Sequence, residues 1–199
     1  MSIETEIKVH LIDFPAFRRQ IDGLHPTPVS ERHFEDNYIL DYADGRIRLQ
    51  QSLLRVRFSR SGSYLTFKGP PRPEGLFKVR EELETSVGDP SVVLRILESL
   101  GLSTSFRYQK YRQEFSVAQK SGLEVHLALD ETPIGDYAEF EGSEEAIRGV
   151  TDALGIDEPQ FLRASYYTLY LQFCRDRGEA PNHMVFPGGQ GARSTQKGL

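Results

Sequence analysis

Residues 4 to 8 read ETEIK. Side chains alternate along a strand, so Glu4, Glu6 and Lys8 share one face, and Ile3, Ile7 and Val9 share the other. Taken alone, this is the pattern of a half-exposed strand with a solvated charged face. Other segments repeat it. LLRVRF sets Arg55 and Arg57 against Leu54, Val56 and Phe58, and YLTFK sets Thr66 and Lys68 against Leu65 and Phe67. VREELET aligns Arg80, Glu82 and Glu84, and YQKYRQEF aligns Lys110, Arg112 and Glu114. EVHLALD opposes Glu124, His126 and Asp130 to Val125, Leu127 and Leu129, while DYAEFEG opposes Glu139 and Glu141 to Ala138 and Phe140. Strand after strand carries charge on one face and apolar residues on the other.

The apolar faces need cover, and four amphipathic segments can supply it. DFPAFRRQIDGL (13–24) places Phe14, Phe17, Ile21 and Leu24 on one helical face, with Asp13 as cap. DPSVVLRILESLGL (89–102) and SEEAIRGVTDALGI (143–156) open on Asp89 and Ser143 and stop at Gly101 and Gly155. A last helix is expected from about Glu158 to Arg175. HPTPVS (25–30) reads as a breaker, Asp44-Gly45 as a turn, Ser61-Gly62 as a hairpin turn and PPRPEG (70–75) as a loop. The expected domain covers residues 1–175. Residues 176–199, rich in Gly, Pro and polar residues, are expected to form a disordered tail.

The chain has 199 residues, 38% hydrophobic and 27% charged, enough for one domain with a real core. Its formal net charge of -5 argues against a nucleic-acid footprint over the whole chain. One cysteine, Cys174, excludes an intramolecular disulfide and a cysteine-based metal site. MSIETEIKVH has no apolar signal core, and no run approaches the roughly 20 apolar residues of a membrane span, so a cytoplasmic, reducing location and no membrane partner are expected. Two arrangements fit the strands: an open sheet with its charged face in water, or a closed barrel with charges inside and helices outside. A barrel of about 8 strands can hold one small ligand. Charges inside it must be paired or must bind a charged ligand. Guanidinium and ammonium groups in rows suit a polyanion of several phosphates. Carboxylates in Glu-X-Glu pairs suit Mg²⁺ or Mn²⁺. Together they describe a metal–triphosphate site.

The same segments, in the same order, resemble the CYTH family of triphosphate tunnel metalloenzymes. ETEIK resembles the EXEXK signature, and HFEDNYILD the second strand. LLRVR with LTFKGP, REELET and KYRQEF resemble the strands that follow, DETPIGDYAEFEG the acidic block, and LRASYYTLYL the closing helix. The resemblance spans roughly residues 1 to 173 and implies an α+β fold, a closed antiparallel eight-stranded barrel forming a tunnel with a charged interior. It implies catalytic roles for Lys8, Glu4, Glu6 and Glu139. It implies metal-side roles for Glu4, Glu6, Glu82, Glu84, Asp130, Glu139 and Glu141. Triphosphate binding falls to Lys8, Arg55, Arg57, Lys68, Arg80, Lys110 and Arg112. Ala164 precedes Ser165-Tyr166 where the family carries a base, and Arg163 is the expected substitute. The implied activity is Mg²⁺- or Mn²⁺-dependent hydrolysis of a small triphosphate by a monomer or homodimer. The alternatives are class IV adenylate cyclase chemistry on ATP and a non-catalytic sensor of polyphosphate or nucleotide. His126 and Tyr166 are expected to be non-catalytic, Tyr166 as a packing residue.

Overall fold

The alternation closes on itself. The computed structural model describes residues 2–73 and 75–188. Its strands are β1 (Ser2–Leu11), β2 (Thr27–Tyr42), β3 (Leu53–Ser59), β4 (Tyr64–Lys68), β5 (Lys78–Ser86), β6 (Leu102–Ala118), β7 (Glu124–Thr132) and β8 (Gly135–Gly142). They pair antiparallel in the order β1-β5-β4-β3-β2-β6-β7-β8, and β8 returns to β1. The register sets opposite charges side by side on the inner face: Glu4 across from Arg80, Lys8 from Glu139, Arg112 from Asp130. A slip of one residue would turn every one of these side chains outward, so register and interior charge specify each other.

Three of the long helices pack outside, and the last packs on inward-facing residues. α1 (Phe14–Asp22) and α4 (Glu144–Ala153) bring Phe17, Ile21, Ala146, Ile147 and Val150 onto Ile7, Val9, Phe115, Leu127 and Phe140. α3 (Pro90–Ser99) lays Val93, Leu94 and Leu97 over Leu40 and Val56. α5 (Tyr166–Arg177) covers Phe106, Tyr108 and Tyr137. The expected caps form: Asp13 accepts from Ala16 N at 2.8 Å, Asp89 from Ser91 N at 2.9 Å and Ser143 from Ala146 N at 3.2 Å.

Four local expectations are overturned. HPTPVS is largely strand, because residues 27–34 of β2 pair only with β6, so Pro28 sits where no second neighbour needs its missing N–H. After the Asp44-Gly45 turn the chain adds a short helix, α2 (Arg46–Leu49), held by the Asp41 carboxylate, which accepts from Ile47 N at 3.0 Å and Arg48 N at 3.1 Å. The last helix starts at Tyr166, after a 3-10 turn at Glu158–Gln160. Between them Leu162 and Lys8 exchange backbone hydrogen bonds of 2.8 and 3.0 Å, which holds the chain extended. The segment after α5 is ordered to Gly188. Met184 donates to Arg107 O and accepts from Gln109 N, each at 2.9 Å, along the side of β6 that β7 leaves bare. Met184 and Phe186 are buried there, which holds this part of the expected tail in place. Residues 189–199 lie outside the described residues. Among the described residues no helix is long and apolar enough to cross a membrane.

Candidate active site

The inner faces enclose a cavity of about 870 Å³. Ten Lys and Arg side chains and eight Asp and Glu side chains line it, an excess of cations inside a chain that is net acidic. Ions buried in this way need partners, since desolvation costs several kcal/mol per ion, roughly.

On the side of β1, β4 and β5, Lys68 lies 2.5 Å from Glu4 and 2.9 Å from Glu82, and Arg80 lies 3.3 Å from Glu4. Lys78 lies 2.6 Å from Glu6. Glu84 accepts from Thr66 Oγ1 at 2.7 Å and stands 3.4 Å from Arg55. At the centre Lys8 holds Glu139 at 2.6 Å, and Arg112 reaches the same carboxylate at 2.5 Å. Asp130 is wholly buried and accepts from Arg112 Nε and a terminal nitrogen (2.7 and 2.6 Å), Lys110 Nζ (2.9 Å) and Tyr166 Oη (2.6 Å). The Tyr166 ring lies 4.7 Å from Lys8 Nζ and 5.4 Å from Lys110 Nζ. Beyond Lys110, the buried Glu35 faces Arg57 at 3.3 Å and Lys110 at 3.6 Å.

These environments set the protonation states. Burial raises the Glu6 carboxyl, but Lys78, Lys8 and Lys68 outweigh it and hold the group well below the usual carboxylate range. Burial likewise opposes, and Lys8, Arg112 and Lys110 outweigh, at Glu139. Glu141 goes the other way: burial and the Glu4 carboxylate, with Glu82 and Glu6 adding, push it to about 7 against the pull of Lys68. Burial lowers His126, which stays neutral at pH 7. Burial, then the Asp130 and Glu139 carboxylates, raises the Tyr166 hydroxyl well above its usual range.

Every expected site residue except Asp130 lines the cavity. Asp130 also faces inward but lies covered by Arg112, Lys110 and Tyr166, with both oxygens already bonded. Arg163 lines the mouth but donates to the carbonyls of Arg72 (2.6 Å), Pro73 (3.2 Å) and Gly75 (2.9 Å), so it fastens the 70–75 loop. Two participants, Lys78 and Glu35, are not singled out in the sequence, and a third, Tyr166, is read there only as a packing residue. Lys78 and Glu35 obey the same alternation, two residues before Arg80 and before Asn37, so that signal was available. Tyr166 is a helix residue with no alternation to mark it; it is bonded to Asp130 as well as packed.

Two buried donors, Arg55 Nε and Asn37 Nδ2, and one buried acceptor, Glu35 Oε2, lack a hydrogen-bond partner among the described residues, and Arg55 belongs to the cavity wall. The donors suit an acceptor-only ligand such as phosphate. The carboxylates supply hard oxygen ligands of the kind Mg²⁺ and Mn²⁺ take, and Glu141, crowded by Glu4, Glu82 and Glu6, marks where negative charge is undercompensated. Among the described residues no three of them yet converge tightly enough to grip a cation, because Glu4, Glu6 and Glu139 are each held by a lysine. The donor set fits a divalent cation once those lysines are drawn to another anion.

The CYTH domain family matches residues 2–167. A Methanocaldococcus jannaschii protein named as a candidate adenylate cyclase is 28% identical over 174 residues, covering 84% of this chain and 98% of that protein. A candidate adenylate cyclase from Vibrio parahaemolyticus superposes with a TM-score of 0.72 at 19% identity, over 83% of this chain and 96% of that one. A Hippeastrum protein, described as a candidate adenylyl cyclase with a dominant triphosphatase activity, gives 0.63 at 20% identity, over 89% and 97%.

Proposed function

The chain belongs to the CYTH family, a family of enzymes, and from that premise we propose that it hydrolyses a small triphosphate in the tunnel with the help of Mg²⁺ or Mn²⁺. The observation that carries this reading is the concentration of ten Lys and Arg side chains and eight Asp and Glu side chains on the wall of one cavity, with the Arg55 guanidinium among them not fully bonded. A purely structural core gains nothing from so many buried ions, since apolar residues of equal volume pack there at lower cost.

In this reading Arg55, Arg57, Lys68, Arg80, Lys110 and Arg112 take phosphate oxygens and fix the chain of phosphates in line. With Lys68, Lys78 and Lys8 drawn to the phosphates, Glu4, Glu6, Glu139 and Glu141 would be free to hold the cation, with Glu82 and Glu84 beside them. A cation held there would neutralise phosphate charge and lower the pKa of a bound water. Lys8, turned from Glu139 but still beside the Tyr166 ring, keeps its proton and balances the charge that gathers on the departing diphosphate. Asp130 holds Lys110 and Arg112 in position.

A second reading is cyclisation of ATP, in which the ribose 3′-hydroxyl attacks the α-phosphorus and pyrophosphate leaves. The naming of the Methanocaldococcus relative favours it. One product assay separates the readings. Tripolyphosphate, thiamine triphosphate and ATP are offered separately with Mg²⁺ or Mn²⁺, and phosphate, pyrophosphate and cyclic AMP are quantified. Phosphate release abolished by Glu4→Gln supports hydrolysis, and cyclic AMP with pyrophosphate supports the cyclase. Tight binding without any product would sink both and leave the sensor.

A further inference from the structure

We infer that the buried Glu35 carboxylate is a positioning residue that limits how tightly the tunnel grips phosphate, and so lets a diphosphate product leave. The inference rests on the triphosphate reading of the tunnel. It applies to both reactions considered for it, since hydrolysis of tripolyphosphate and cyclisation of ATP each leave a diphosphate behind.

Glu35 stands on the inner face of β2, opposite Lys110 across β2–β6, and Asn37, the next inward residue, stands opposite Arg57 across β2–β3. Glu35 is 1% exposed and does not line the cavity, whereas Arg57 and Lys110 do. Its Oε1 lies 3.3 Å from an Arg57 terminal nitrogen and 3.5 Å from His33 Nε2. Its Oε2 lies 3.6 Å from Lys110 Nζ and accepts no hydrogen bond among the described residues. Asp130 behaves differently: it holds the same Lys110 at 2.9 Å and Arg112 at 2.7 and 2.6 Å. Asp130 therefore fixes its bases through bonds, while Glu35 acts on Arg57 and Lys110 mainly through its charge. That charge is present at neutral pH. Burial raises the Glu35 carboxyl, but Arg57 and Lys110, with His33 and Arg112 adding, outweigh it and hold the group well below the usual carboxylate range.

A buried ion bonded this loosely is a weak structural anchor, because it carries a desolvation cost that few hydrogen bonds offset. What it supplies is one negative charge beside two cations that face the ligand. Nor does it join the carboxylates expected to hold a cation. Those stand on β1, β5 and β8, and β2 lies four strands from β1 in either direction round the barrel. Phosphate oxygens bound to Arg57 and Lys110 would have the Glu35 charge on the far side of the same bases. Like charges separated by one side chain in a low-dielectric wall repel by an amount worth about tenfold in affinity or more. Glu35 thus opposes phosphate at the two bases it touches and leaves the metal side unaffected.

The test is calorimetric titration of the full chain, with Mg²⁺ present, by pyrophosphate and by the bis-methylene analogue of tripolyphosphate. Glu35→Gln keeps the shape and removes the charge. Both ligands are expected to bind it about tenfold tighter, although the ligand-free variant should melt lower because Arg57 and Lys110 lose a counter-charge. With whichever triphosphate turns over, KM and kcat should fall together, and pyrophosphate should inhibit about tenfold more strongly. Glu35→Asp keeps the charge and should return both affinities close to those of the unaltered chain. Asn37→Asp runs the test in the opposite direction. It keeps the acceptor for Arg57 Nε, now at 3.2 Å, adds a second charge there, and should weaken both ligands about tenfold. A merely structural carboxylate predicts the other sign, since Glu35→Gln would then loosen both bases and weaken both ligands. Weaker or unchanged binding by Glu35→Gln, or unchanged binding by Asn37→Asp, would overturn the role of Glu35 and leave the triphosphate reading standing. If Glu35→Gln does not fold, the Asn37→Asp result decides alone. Failure of the tripolyphosphate analogue to bind the unaltered chain would overturn the triphosphate reading itself, and the role of Glu35 with it.

Discussion

Glu141 shows how one side chain reports the state of the site. Its folded-state pKa of about 7 lies above the ordinary carboxylate value of 4.5. The folded chain therefore binds a proton that the unfolded chain has already lost, and stability must fall as pH rises from 4.5 to about 7. Glu141 is partly open to solvent, and screening discounts the 1.36 kcal/mol per pKa unit, so the effect is on the order of 1 kcal/mol for the metal-free protein. In chelator, Tm should drop between pH 5 and pH 8, and Glu141→Gln should flatten that slope and raise Tm at pH 8 by roughly 2–4 °C. An unchanged slope in the variant would remove Glu141 from the acidic cluster. Tyr166 gives a second case. Its hydroxyl bonds a buried carboxylate at 2.6 Å, and a hydrogen bond to a charged group contributes about 1.5–3 kcal/mol. Tyr166→Phe keeps the ring beneath Lys8 and Lys110 but loses that bond. A melting curve should show a fall of roughly 3–12 °C for a chain of this size. Residue identity on the inner face was legible in the sequence because alternation has period two, and Glu4, Glu6, Lys8, Arg55 and Arg57 could be read directly. The saturation of Asp130 was not, since its donors come from β6 and α5, far apart in sequence.

Among the elements, legibility tracked periodicity. β1, β3, β4, β7 and β8 carry clean alternation and fell where expected. α1, α3 and α4 carry both a cap and an apolar stripe. The elements that were missed lack such a signal. α2 has four residues and is held by Asp41 from a neighbouring strand. The segment after α5 has two buried apolar anchors, Met184 and Phe186, among Pro, Asn, His and Gly, too few to show a period. Its order comes from the bare side of β6, which exists only once β7 begins pairing at Tyr111. Met184 is 1% exposed within the cluster of Phe106, Tyr108, Tyr137 and Tyr166. Met184→Ala should therefore cost about 2–5 kcal/mol, measurable as a lower denaturant midpoint at unchanged slope. An effect near zero would mean that this segment lies on the barrel without supporting it.

For the molecule as a whole, the ligand-free tunnel neutralises itself. Lys68 with Glu4, Lys78 with Glu6 and Lys8 with Glu139 are each within 2.6 Å. A triphosphate entering alone would draw off the lysines and strand the carboxylates, and a divalent cation alone would have to displace the lysines from them. Each ligand supplies the charge that the other removes, so the two should bind with positive coupling, and by linkage each should tighten the other by the same factor. Ligand at a hundred times its Kd adds about 2.7 kcal/mol. For a chain of this size that is a Tm rise of roughly 5–11 °C. Tripolyphosphate and Mg²⁺ together should reach that range, and their joint shift should exceed the sum of the separate shifts. Mg²⁺ also binds tripolyphosphate in free solution, so the decisive comparison is with Glu4→Gln and Glu6→Gln. These variants should keep the shift from tripolyphosphate alone, or enlarge it, because fewer carboxylates are stranded, yet lose the extra shift that Mg²⁺ brings. If the variants retained the full joint shift, the coupling would belong to the solution complex and not to the tunnel.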